Sequence, residues 1–168
     1  MEDTLHYDDQ IIPLLRRMIN LKKLTLFLSV LTRYWTYIDG IQLHDQILIY
    51  MSQLNKFTFS INTTVVNEDK NIKIDLPSNE DIQRSFIGKG YGQVGSYVHY
   101  RKKYNVGTSH VYSLPYQFEY FLDLNNSFQG DMFDTVQCLT MTDGHPFEHN
   151  LFKLISQCFP FFERVTCY

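Results

Sequence analysis

Residues 14–26 read LLRRMINLKKLTL, and 33 positions further on residues 47–59 read ILIYMSQLNKFTF. Their apolar positions coincide: Leu14, Met18, Leu21, Leu24 and Leu26 in the first, Ile47, Met51, Leu54, Phe57 and Phe59 in the second. A third copy, ISQCFPFFERVTC at 155–167, supplies Ile155, Phe159, Phe162, Val165 and Cys167. Steps of four and three put Leu14, Met18 and Leu21 on one face of a helix, and the closing step of two is strand alternation. Each copy therefore predicts a helix that ends and runs into a short strand. VQCLTM at 136–141 repeats the strand half 26 residues before the last copy.

The residue between the paired apolar positions is a threonine each time: Thr25, Thr58, Thr140 and Thr166. Threonine is favoured in strands, and neighbouring threonines on a sheet can hydrogen-bond. Strands side by side in one parallel sheet would align all four in a column on the open face. In that register Lys23, Lys56 and Arg164 form a row on one side of the column. Phe27, Ser60, Thr142 and Tyr168 form a row on the other.

The L-x-x-L-x-L pattern of LKKLTL, LNKFTF, VQCLTM and FERVTC resembles the leucine-rich repeat, and the helix before each strand resembles its ribonuclease-inhibitor-like branch. The resemblance covers residues 10–61 and 115–168. It departs from the pattern where the asparagine usual after the strand appears as Asn62 but not after Leu26, Met141 or Cys167. It implies an α/β fold, a short leucine-rich-repeat arc forming a single domain over 1–168. Parallel strands would line the concave side and helices the convex side. Two repeats at 10–61 and two at 115–168 would flank an irregular insertion at 62–114.

Such stacks bury apolar surface against their neighbours and present extended binding surfaces. The resemblance therefore implies a non-enzymatic module that binds a protein partner, with no cofactor and no catalytic residue. The expected partner-binding face is Lys23, Thr25, Phe27, Lys56, Thr58, Ser60, Thr140, Thr142, Arg164, Thr166 and Tyr168, a basic, hydroxyl and aromatic strip suited to an acidic or phosphorylated peptide. With SLPYQFEYFL and FEHNLFKLISQCFPFFERV, the chain is similar to the repeat region of F-box/leucine-rich-repeat proteins. In that family an F-box docks on a ubiquitin-ligase scaffold and the repeats choose the substrate. Residues 1–20 contain no L-P-x-E-type F-box segment, so on this resemblance the chain holds the recognition part alone. A strand ending at Tyr168 also predicts an exposed sheet edge there.

Composition narrows the classes. A chain of 168 residues can bury about 70% of its unfolded surface and needs no disulfide or metal to fold. A net charge of −3 lacks the basic footprint of a nucleic-acid binder. Three cysteines, Cys138, Cys158 and Cys167, have no C-x-x-C spacing and read as buried free thiols in a reducing compartment. MEDTLHYDDQ is no signal peptide, and no apolar run reaches membrane-spanning length. The expectation is a cytoplasmic protein that binds neither membrane nor nucleic acid. The sequons at Asn62 and Asn125 would then go unused.

Two stretches tempt an enzymatic reading. IGKGYGQVG at 87–95 resembles the kinase glycine loop but is one residue short between its second and third glycines, and no V-A-I-K, H-R-D or D-F-G follows. It reads as a loop whose glycines permit positive φ. HPFEH at 145–149 matches the inverted zinc-peptidase motif H-x-x-E-H. This makes a small zinc-dependent hydrolase using His145 and His149 the alternative function. Pro146, however, reads as the first turn of a helix, which would leave His145 at the cap, off the face that carries His149. Within the insertion the sequence predicts a strand at 72–77, a helix at 78–86 and a hairpin from SYVHYRKKY (96–104) to TSHVYSLPY (108–116). Pro115 reads as the first turn of a helix over 116–124.

Overall fold

The computed structural model describes residues 4–32, 37–67, 69 and 74–168, and it is a mixed α/β protein with two sheets. The first sheet has the order β1 (Lys23–Thr32), β2 (Lys56–Val66), β4 (Val106–Ser113), β3 (Val94–Arg101). The second has three strands, β5 (Tyr120–Leu124), β6 (Cys138–Met141) and β7 (Arg164–Cys167). β1 and β2 are parallel, β4 runs antiparallel to both β2 and β3, and β5, β6 and β7 are parallel throughout.

The repeat spacing turns out to be the strand register. Lys23 stands opposite Lys56, Thr25 opposite Thr58 and Phe27 opposite Ser60, an offset of 33 residues. Cys138 stands opposite Arg164 and Thr140 opposite Thr166, an offset of 26. The single column of four threonines is corrected, because the two pairs lie in different sheets. The reason is the hairpin of β3 and β4. It takes the free edge of β2 from Ser60 to Val66, where the next parallel strand would have paired.

Each sheet is backed by helices on its apolar face. Leu24, Leu26, Phe59 and Ile61 pack against Ile12 and Leu15 of α1 (Ile12–Arg16), Leu43 of α2 (Gly40–Gln46), and Ile47 and Met51 beyond it. In the second sheet Phe121, Leu139 and Met141 pack against Leu151 and Ile155 of α4 (His149–Cys158), with Phe133 and Phe159 between. Full burial of each such side chain contributes about 1.5–3 kcal/mol. The expected helical face over Leu14, Met18 and Leu21 is shifted. α1 stops at Arg16, so Ile12 and Leu15 point inward while Leu14 and Met18 are exposed. In the second copy Ile47 and Met51 are buried, but in place of the expected helix the segment forms only a single 3-10 turn, Leu48–Tyr50, after α2.

Local signals explain the helix starts. The Asp39 carboxylate accepts the Gln42 N–H at 2.8 Å and caps α2. Ser78 accepts the Asp81 N–H at 3.1 Å and caps α3 (Asn79–Ser85), where the sequence placed a helix. The hairpin also forms as read. Two expectations fail. Residues 74–77 are irregular, the rest of 72–77 lying outside the described residues. Segment 116–124 is not a helix but leads into strand β5, paired to β6 at Tyr120–Cys138 and Phe121–Leu139. Its YFLDL has the aromatic, alternating character of a strand, and Phe121 fills the centre of the second core. No helix among the described residues is long and apolar enough to cross a membrane.

Candidate functional site

The side chains proposed for a partner divide into an exposed set and a consumed set. Lys23, Thr25 and Lys56 are exposed on the first sheet, and Phe27 is half-buried with its ring 5.1 Å from that of Phe118. Arg164, Thr166 and Tyr168 are exposed on the second. Thr58 and Ser60, read as open-face residues, are buried at 6% and 1% exposure. The chain after β4 brings aromatic residues over this face: Tyr116 bonds Ser60, and the Phe121 ring packs on His110 and Tyr112.

A chain of hydrogen bonds runs through that contact. The Tyr116 hydroxyl donates to the Tyr120 carbonyl at 2.6 Å and therefore accepts from Ser60 Oγ at 3.1 Å. Ser60 Oγ in turn accepts from His110 Nε2 at 2.9 Å, which assigns the proton of the neutral imidazole to Nε2. Burial pushes the His110 pKa down to about 3, so the ring is neutral at physiological pH. A serine beside a histidine evokes nucleophilic catalysis. Here no substrate can reach the pair, since His110 is 0% exposed, and its Nδ1 has no hydrogen-bond partner to orient it. The arrangement ties two parts of the fold together.

Thr140 and Thr142 are also spoken for. Asp123, at the irregularity in β5, adopts φ of 55° and donates its backbone N–H to Thr140 Oγ1 at 2.9 Å. Its carboxylate accepts from Thr142 Oγ1 at 3.0 Å and from the side-chain amide of Asn62. Asn125 donates to the Asp123 carbonyl at 3.0 Å. Both sequon asparagines are thus buried and engaged with one residue. The thiol expectation holds only for Cys138. Cys158 is half-buried and Cys167 exposed, and all three are free.

HPFEH does not assemble a metal site. The N-cap of α4 is Glu148, three residues later than the sequence placed the helix start. His145 therefore lies in the preceding turn, its backbone N–H donating to Asp143 Oδ1 at 3.1 Å, while His149 opens the helix. Pro146 ends that turn instead of starting the helix. No group of three or more potential metal ligands occurs among the described residues. The glycine loop behaves as read: Gly88, Gly90 and Gly92 have φ of 75° to 77°. A β-carbon at any of them would meet open space, so it is the backbone conformation that favours glycine there.

Two surfaces escaped the sequence reading in detail. The first is the apolar character of the exposed edge. Every residue of β7 is exposed, and Val165 is 41% exposed although it continues the row of Phe121 and Leu139, which are 0% and 1% exposed. Phe161, Phe162, Phe152 and Tyr168 are exposed on the same C-terminal segment. The second is a group of basic residues around His99 and His145. Burial lowers the pKa of His99, partly offset by the Asp143 carboxylate, whose Oδ1 is 3.7 Å from its Nε2. No family model, curated protein or solved structure matches this chain.

Proposed function

We propose that this chain is a non-enzymatic protein-binding module of leucine-rich-repeat type, and that it receives an extended segment of its partner along the open edge of β7. The observation that carries this reading is the exposure of the whole strand beside a row that is otherwise fully buried. Leaving such an edge bare exposes unpaired backbone groups and apolar side chains, and an added strand would satisfy both. The repeat spacing, seen as strand register, supports the leucine-rich-repeat reading. Exposed Arg164, Thr166 and Tyr168 would line the partner strand on one face and Val165 with Cys167 on the other. If the F-box resemblance extends to role, the segment captured is that of a protein destined for a ubiquitin ligase.

Backbone geometry supplies the test. The N–H groups of Arg164 and Tyr168 point to β6, bonding Gln137 O at 3.0 Å and Met141 O at 3.0 Å. By alternation the N–H groups of Val165 and Cys167 point to the open edge. A Cys167→Pro substitution therefore removes an outward donor and spares the ladder to β6. Random-peptide display on the purified chain should select extended, alternately apolar peptides. Their binding should be lost in Cys167→Pro and retained in Lys23→Ala/Lys56→Ala. Failure to enrich any peptide, or binding indifferent to the proline, would refute the reading.

A further inference from the structure

The end of the hairpin of β3 and β4 meets the turn after β6 at a cleft of about 480 Å³. His99, Arg101, Lys102 and Lys103 line it from the hairpin, and His145 from the turn. The two walls touch beside Gly144, where a β-carbon would stand 3.9 Å from Arg101 Cγ. Lys102, Lys103 and His145 are exposed and Arg101 is half-buried. Tyr100 also borders the cleft, but its side chain packs against Val65 and Ile74, with its hydroxyl donating to Asn105 Oδ1 at 2.8 Å.

This concentration of positive charge sits on a chain of net charge −3. One carboxylate stands on this wall: Asp143 Oδ1 is 3.7 Å from His99 Nε2 and 3.8 Å from His145 Nδ1. The Asp143 side chain is only 2% exposed, and its oxygens accept the backbone N–H groups of Asn126 at 3.0 Å and His145 at 3.1 Å. Among the described residues no carboxylate lies within ion-pair distance of Arg101, Lys102 or Lys103. Lys103 does rest over the Tyr104 ring, 5.2 Å from its centroid, an arrangement that leaves the ammonium free to turn. Like charges on neighbouring residues repel, and a bound anion would relieve that repulsion.

We propose that this cleft binds a phosphate monoester. The Arg101 guanidinium offers a planar fork matched to phosphate oxygens, Lys102 and Lys103 supply further charge, and His145 offers a ring nitrogen from the facing wall. Three permanent cations suit a dianion better than a single carboxylate. Three are also too few, and too confined, for the extended row of contacts a nucleic-acid backbone needs. The volume leaves room beyond the phosphate for its carrier, which would lie along the aliphatic stems of the basic side chains. This site is separate from the edge of β7 and does not depend on it.

Calorimetric titration at fixed ionic strength tests the proposal, with phenyl phosphate as probe and benzenesulfonate as its singly charged counterpart. Phenyl phosphate should bind saturably and at least about tenfold more tightly than the sulfonate. The variant Arg101→Gln/Lys102→Gln/Lys103→Gln should lose about tenfold or more of that affinity, and the single, fully exposed His145→Ala should lose several-fold. Equal binding of the two probes, or binding unchanged in both variants, would overturn the assignment. Parallel titrations with inorganic phosphate and a short phosphoserine peptide identify the source. Tighter binding of the peptide assigns a protein-borne phosphate, and tighter binding of the small anions a free one.

Discussion

The side-chain amide of Asn62 on β2 donates to the carboxylate of Asp123 on β5, and so fastens one sheet to the other. The same carboxylate takes the hydroxyl proton of Thr142, at the end of β6. Asn62 is 1% exposed, so removing its acceptor leaves a buried donor unsatisfied. Asp123→Ala should cost about 2–4 kcal/mol, combining that loss with the strain of alanine in the left-handed region. Asp123→Asn keeps one acceptor and tolerates the conformation, and should cost about 1 kcal/mol. Urea unfolding monitored by circular dichroism measures both. Equal costs would mean that neither the retained acceptor nor the left-handed conformation of residue 123 matters to the joint.

Acid should loosen the fold through His110. The unfolded ring takes a proton as pH falls through its ordinary 6.5, whereas the folded ring does so only near 3. Stability from the neutral ring is complete above about 6.5 and is lost as pH falls from there towards 3, at up to about 1.4 kcal/mol per pH unit. His110→Gln removes this dependence. Unfolding free energies of the two proteins between pH 7 and pH 4 should therefore converge by about 2–3 kcal/mol. Parallel curves would show that His110 takes up its proton in the folded protein as readily as in the unfolded one.

Leu139 and Val165 are neighbours in register on the same face of the second sheet, yet one is buried and the other is not. Leu139→Ala should destabilise by about 2–5 kcal/mol, the cost of a cavity in a packed core. Val165→Ala should change stability by about 0.5 kcal/mol or less, as exposed substitutions do. A large effect at Val165 in the isolated chain would mean that β7 is covered in solution.

Gly90 and Gly95 are glycines for opposite reasons. At Gly90 the backbone φ is 77° and there is open space around it. At Gly95 a β-carbon would run into the ring of Tyr112, its partner across the hairpin. Gly90→Ala should cost about 1–2 kcal/mol through conformation alone. Gly95→Ala should cost about 1–3 kcal/mol, and the double variant Gly95→Ala/Tyr112→Leu should recover part of it where the single Gly90 variant has no rescue. Thermal unfolding of the set distinguishes these two causes.

The sequence carried the local pairing and missed the long-range arrangement. Spacings of 33 and 26 between matched threonines became the strand registers, because each matched pair stands at equivalent positions of two neighbouring parallel strands. Nothing in those spacings reveals that the hairpin around Asn105 would occupy the far edge of β2. Edge competition depends on strands distant in the chain. YQFEYFLDL read as a helix because Pro115 is common at helix starts, but the aromatic packing of Phe121 with Tyr97, Tyr112 and Phe133 decided for a strand. The part of the candidate face engaged within the fold, Thr58, Ser60, Thr140 and Thr142, shares its hydroxyl side chains with Thr25 and Thr166, which stayed outside. Hydroxyl side chains serve equally on a wet surface and in a satisfied interior, so composition could not separate them.

The bare flank of β7 also bears on how copies of this chain meet at high concentration. A second copy joining in the antiparallel sense would occupy both flanks at once, a two-fold pair that closes on itself. One joining in the parallel sense, as β6 does, would offer a fresh flank of its own and permit growth without end. The small hydroxyl and thiol of Thr166 and Cys167 do little to obstruct either outcome, so a single added lysine at Thr166 is the substitution by which a soluble preparation would be secured.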